Sequence, residues 1–206
     1  MNPPLCFAEA GFDPSHTWRT FIISTSSKSE LVIVANRLPV HRVEHDGQFV
    51  WETSPGGLVT ALKPILERRQ STWVGWAGDA GSAPEPFVHD GIHNLPVPLS
   101  HDELEAFYEG FANRTLWPLY HDAIRPPEYR RRWWKPYVQI NRRFAEATAE
   151  IVSNDGVVWV HDYHLQLVPG ILRELRPDLR IGFFLHTPFP PQELFRPLPW
   201  RSQILE

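Results

Sequence analysis

Two short apolar runs, residues 157–160 and 181–185, constrain this chain more than any other feature. Each is too short for a helix and too uniformly apolar for a half-exposed strand, so each reads as a strand buried on both faces, as in parallel sheets. Between them Leu165, Val168, Leu172 and Leu175 recur at helical spacing, and Pro177 follows where that helix would stop. Together they make a βαβ unit. His161, Asp162 and His164 follow the first strand, and His186 and Thr187 follow the second. These are the carboxyl ends, where open α/β sheets place their ligands.

The same pattern extends towards the amino terminus. Residues 31–35, LVIVA, read as a further buried strand ending at Asn36 and Arg37, and residues 72–76, TWVGW, as another. Between them, residues 40–44 and 48–52 flank Asp46-Gly47, a type I′ turn signal, and predict a small hairpin. Ser54-Pro-Gly-Gly57 then leads into Leu58, Ala61, Leu62, Ile65 and Leu66 at helical spacing, with Pro64 predicting a kink or a late start. A glycine-rich loop at a helix amino end favours a phosphate, although a tight turn that needs glycine has the same signature.

Further on, Ser100 and Glu103 form a capping-box pattern opening a helix with Leu104, Phe107, Tyr108 and Phe111 on its apolar face. Residues 113–121 read as an aromatic-rich connection and 133–152 as a longer helix ended by Asn154-Asp-Gly156. Residues 200–206 look like the first turns of a helix without a carboxyl cap. The alternation predicts a doubly wound, Rossmann-like α/β sheet over residues 31–206, stopping inside its domain, after a disordered leader over residues 1–30.

Composition narrows the function classes. A formal net charge of −4 gives no basic surplus for neutralising nucleic-acid phosphates. No apolar stretch approaches the roughly 20 residues that span a bilayer, and residues 1–30 lack a secretory pattern. Cys6 is the single cysteine and fits a reducing compartment, so a cytoplasmic location is expected, with neither nucleic acid nor membrane as partner.

His161, Asp162, His164 and His186 invite a metal reading, but His161 and Asp162 point to opposite faces of an extended strand and no second acidic cluster completes a site. There is no nucleophile elbow, P-loop or dinucleotide fingerprint. What remains is Arg37, Gly56, Gly57, Asp162 and His186 at strand or loop ends, flanked by Trp76, Tyr108 and Trp117. Such a set suits a phosphorylated, hydroxyl-rich ligand: arginine forks onto phosphate, carboxylate and imidazole bond hydroxyls, and aromatic rings cover sugar faces. Each residue also has a plain structural alternative: an ion pair for Arg37, a helix cap for Asp162, simple packing for the tryptophans.

Six segments in order carry a resemblance: VANRLPV (34–40), SPGGLVTAL (54–62), WVGW (73–76), LWPLYH (116–121), VWVHDYHLQLVP (158–169) and IGFFLHTPFP (181–190). They resemble the amino-terminal half of the trehalose-6-phosphate synthase family in its actinobacterial form. The resemblance implies a two-domain retaining glycosyltransferase that moves glucose from UDP-glucose to glucose 6-phosphate, with no metal or cofactor and no protein nucleophile. It implies that Arg37 and Tyr108 bind the acceptor phosphate, Asp162 the acceptor hydroxyls, Gly56 and Gly57 the donor diphosphate and His186 the donor glucosyl group, while Trp117 shapes the pocket for α-linkage. Asp162 and His186 are then the residues nearest the chemistry. It also implies that the carboxyl-terminal domain lies outside these 206 residues, so that the chain alone is inactive. A homo-oligomer at full length, a related transferase with another phosphorylated acceptor, and a non-catalytic sugar-phosphate-binding chain all stay open.

Overall fold

The computed structural model describes residues 28–66, 71–122 and 124–206. Nearly all of the expected leader, including Cys6, lies outside the described residues. Ser29 and Glu30 already belong to the first strand.

Six strands form one sheet in the order β5-β6-β4-β1-β7-β8. β1 is Ser29–Arg37, β4 Ser71–Trp76, β5 Phe87–His89, β6 Ile92–Pro96, β7 Val152–His161 and β8 Arg180–Phe184. All neighbours are parallel except the edge pair β5-β6. Chain order therefore runs outward from β1 through β4 and β6 on one side, then outward through β7 and β8 on the other, which puts the topological switch point between β1 and β7. β2 (Val40–His45) and β3 (Gln48–Thr53) form the separate hairpin, with Asp46 and Gly47 at φ 52° and 77°, as the type I′ signal predicts.

Two apolar layers sandwich the sheet. Ile33, Leu38, Leu62, Leu66 and Trp73 pack on one side with α1 (Gly57–Leu66). Val32, Val34, Val74, Val158 and Val160 face the other side, against the long α3 (Arg131–Ile151) and α4 (Val168–Leu175). The same layer holds a helical run, α2, that passes without a break through His101–Glu103, Leu104–Leu116 and Trp117–Tyr120. Its amino end carries the capping box: the Glu103 amide donates to Ser100 Oγ at 3.3 Å and the Ser100 amide to Glu103 Oε2 at 2.9 Å. Two short helices, α5 (Gln192–Phe195) and α6 (Arg201–Leu205), close the described chain.

Three expectations need correction, and two strands are added. Residues 113–120 continue α2 instead of forming a connection. Its middle, Leu104–Leu116, is π-helical, and the Trp117 amide bonds the Ala112 carbonyl five residues back. Asn154-Asp-Gly156 does not end a helix: α3 stops at Ile151 and β7 begins at once, so these residues bulge out between the pairs Ser29–Val152 and Leu31–Val157, with Asp155 at φ 57°. β5 and β6, which the sequence pattern did not reveal, extend the sheet. Finally, β8 is not buried on both faces: it is an edge strand, with Phe183 and Phe184 41% and 48% exposed.

Candidate active site

β1 ends at Arg37 because Gly75 of the neighbouring β4 lets the backbone pass: a Cβ on Gly75 would lie 2.6 Å from the Arg37 carbonyl carbon and the Leu38 nitrogen. Trp73 Nε1 donates to the Arg37 carbonyl at 2.9 Å and fixes the same peptide. The Arg37 guanidinium then lies over the Trp76 ring, 4.6 Å from its centroid, and 5.8 Å from that of Tyr108. Trp76 is held in turn by its Nε1–H donating to the Asp79 carbonyl. Among the described residues no carboxylate pairs with Arg37.

Tyr108 stacks on His164, with ring centroids 5.7 Å apart at 13°, and His164 stacks on Tyr163 at 4.1 Å. Burial, reinforced by the Arg37 charge, pulls the His164 pKa down to about 3, so this imidazole is neutral at physiological pH. The arginine cation thus borders a neutral aromatic wall.

Asp162 connects this group to β7 and β8. Its backbone sits at φ 73°, ψ 167°, a region nearly reserved for glycine and a strain of about 1–3 kcal/mol. Three bonds hold it there: its own N–H to the Phe184 carbonyl (2.8 Å), the Leu165 N–H to its carbonyl (3.1 Å) and the Tyr163 N–H to its Oδ1 (3.0 Å). The helix-cap alternative is therefore half right. Oδ1 caps the 3₁₀ turn Tyr163–Leu165, while Oδ2 stands 3.9 Å from His164 Nδ1 in a side chain about a quarter exposed. On the other side of Asp162, His161 Nδ1 lies 3.2 Å from Nε2 of the exposed His186.

Trp117 lies further round. Tyr108, Asn113, Trp117, Arg125 and Tyr163 line one open cleft of about 630 Å³. Nine positions separate Tyr108 from Trp117, about two and a half turns of an α-helix, which would put them on opposite faces. The wider π-helical turn makes nine positions about two turns and brings both rings to the cleft. Trp117 is steadied by stacking on His121 at 4.3 Å, and His121 Nδ1–H donates to the Trp117 carbonyl.

A chain of contacts thus links Arg37, Tyr108, His164 and Asp162 near the carboxyl ends of β1 and β7, His186 joins it through His161, and Trp117 shares the cleft of Tyr108. Gly56 and Gly57 lie at the amino end of α1. Both are exposed, neither has a positive φ, and a Cβ on either would meet nothing within 4 Å. Sequence reasoning treated Trp76 only as flanking and missed Arg125. Trp76 had a signal, since it shares the strand-end layer with Arg37. Arg125 had none, because it lies in a segment without periodicity.

No helix among the described residues is long and apolar enough to cross a membrane. The model of glycosyltransferase family 20 matches residues 29–206. Trehalose-6-phosphate synthase of Mycolicibacterium smegmatis is 58% identical over 182 residues, 88% of this chain and 36% of that protein. A crystal structure described as an α,α-trehalose-phosphate synthase (UDP-forming) from Burkholderia xenovorans in complex with glucose-6-phosphate superposes with a TM-score of 0.70 at 29% identity, covering 85% of this chain and 37% of the other. One described as trehalose-6-phosphate from E. coli bound with UDP-2-fluoro glucose does so at 0.73 and 31%, again covering 85% and 37%. The chain spans little more than a third of the length of the relatives it matches. On the family match and on the fold, this chain belongs to glycosyltransferase family 20.

Proposed function

We propose that this chain is the acceptor-side, amino-terminal domain of a retaining glycosyltransferase that joins glucose from UDP-glucose to glucose 6-phosphate, forming α,α-trehalose 6-phosphate. The observation that carries this reading is the Arg37 guanidinium, held over Trp76 and beside Tyr108 at the switch point with no carboxylate partner among the described residues. An arginine so held, beside a histidine that burial keeps neutral, is a receptor for an anion. The names of the relatives supply the substrates: a synthase of trehalose 6-phosphate, one relative holding glucose-6-phosphate and another a fluorinated UDP-glucose.

In this reading Arg37 and Tyr108 take the acceptor phosphate and Asp162 Oδ2 bonds an acceptor hydroxyl, while Trp117 lines the sugar pocket. His186 meets the donor glucosyl group. Gly56 and Gly57, which neither conformation nor crowding within the chain requires to be glycine, leave room for the donor diphosphate at the start of α1. No side chain need form a covalent intermediate. The leaving diphosphate assists deprotonation of the incoming hydroxyl, and the protein contributes alignment and fixed charge. Both substrates belong to the cytoplasm, which is the location this reading assigns.

The test is a fusion of this chain to the remaining length of the Mycolicibacterium smegmatis relative, assayed for UDP release and trehalose 6-phosphate. The fusion should turn over and the 206-residue chain alone should not. Arg37→Ala in the fusion should raise KM for glucose 6-phosphate by about ten- to a hundredfold, the equivalent of one lost charged hydrogen bond, and leave UDP-glucose nearly unaffected. A fusion that makes another disaccharide phosphate, or an Arg37→Ala defect confined to UDP-glucose, overturns the assignment.

A further inference from the structure

His161 is 2% exposed, and nothing in the reaction as described employs it. It sits at the end of β7 with Trp159 on one side, ring centroids 4.9 Å apart, and His186 on the other at 5.3 Å. Its Nδ1 lies 3.2 Å from His186 Nε2, and its own Nε2 is buried without a hydrogen-bond partner. We propose that His161 is a positioning residue that donates its Nδ1 hydrogen to His186 Nε2, and so obliges His186 to carry its own hydrogen on Nδ1 and present that N–H to the donor sugar. The last clause rests on the function proposed above; the tautomer assignment does not.

The argument is one of hydrogen accounting. Two imidazole nitrogens at 3.2 Å share one hydrogen, so one ring donates and the other accepts. If His186 donated, the hydrogen of a neutral His161 would move to its Nε2, where a buried N–H would have no acceptor. A buried donor left unpaired is the rarer and costlier failure. If His161 donates, its orphaned Nε2 is a bare lone pair, which is tolerated better. Burial supports the neutral form, pulling the His161 pKa down to about 4, with His186 adding to the effect. His186, which is exposed, is then left with Nε2 occupied as acceptor and Nδ1–H free. An unconstrained imidazole prefers the opposite arrangement, hydrogen on Nε2. His161 thus decides whether His186 offers a sugar oxygen a donor or an acceptor at Nδ1.

The experiment reads tautomers directly, on the 206-residue chain labelled with ¹⁵N at histidine, by long-range ¹H–¹⁵N correlation at neutral pH. Both His161 and His186 should show a protonated Nδ1 and a bare Nε2. In His161→Asn the amide NH₂ can replace the Nδ1–H donor, and His186 should keep its hydrogen on Nδ1. In His161→Leu the donor is gone and His186 should revert to Nε2–H. A wild-type spectrum with Nε2–H on either ring overturns the proposal, as does a His186 signature unchanged by His161→Leu. If that variant does not fold, the wild-type spectrum decides alone. Because no turnover is measured, failure here leaves the glycosyltransferase reading standing, and failure of the fusion assay leaves the tautomer result standing.

Discussion

Asp162 has two separable duties, and one substitution separates them. Asn keeps an oxygen to accept from the Tyr163 amide and has the same shape as Asp, so the backbone strain is the same for both and Asp162→Asn should change stability by no more than about 0.5 kcal/mol. It removes the charge from Oδ2, and in the fusion enzyme kcat should fall about tenfold or more with a smaller change in KM. An unchanged kcat would leave Asp162 as a cap and nothing else. His164 and His161 give a second residue-level prediction. Both have folded-state pKa values below the ordinary value near 6.5, at about 3 and about 4, so between those values and 6.5 the unfolded chain binds more protons. Stability is therefore full above pH 6.5 and falls with acidification, by about 1.4 kcal/mol per pH unit for each fully buried imidazole. Urea midpoints at pH 7 and pH 5 should show the drop, and His164→Gln should flatten it; a midpoint independent of pH would show that neither ring is held neutral. The strand-end position of Asp162 was legible in the sequence. Its strained backbone was not, because φ at an aspartate has no pattern to read.

At the scale of elements, the approach of β4 to the end of β1 is the tightest constraint on the site. Gly75→Ala would press a Cβ into the Arg37 and Leu38 backbone at 2.6 Å, where no side-chain rotation gives relief. It should destabilise by at least about 1–3 kcal/mol and, under the role proposed for Arg37, raise the acceptor KM of the fusion enzyme as Arg37 shifts. A chemical melt together with acceptor KM checks both; a silent variant would mean that the two strands part freely. The buried parallel strands β1, β4 and β7 were legible because each carries an apolar run of four or five residues, a pattern that β8 shares without the burial. β5 and β6 were not, although their turn, Asp90-Gly91 at φ 48° and 75°, repeats the Asp46-Gly47 signal. Phe87–His89 is simply too short to show an alternation. The π-helical stretch of α2 was invisible for a different reason. Its apolar residues also fit a 3.6 period over the first two turns, and the wider one shows in the bond from Trp117 to Ala112 and in the arrival of Tyr108 and Trp117 at one cleft.

At the scale of the molecule, β8 has a strand neighbour on one side only among the described residues, and Phe183, Phe184 and Phe189 are 41%, 48% and 50% exposed. Apolar edges of this kind recruit other chains. The 206-residue protein should therefore self-associate, with a light-scattering mass that rises with concentration, and Phe183→Lys should lower it; a wild-type monomer across the dilution series would contradict this. Sequence alone read β8 as fully buried because its residues are those of a covered strand. One further consequence comes from the bond between the Asp162 amide and the Phe184 carbonyl, 2.8 Å long and two residues before His186. Under the proposed roles that hydrogen bond, the last rung between β7 and β8, ties the backbone of the acceptor carboxylate to the segment that leads to the donor histidine. Thermodynamic reciprocity then requires that if occupancy by one sugar draws this joint tighter and strengthens the hold on the other, the second returns the favour by the same factor, whichever enters first.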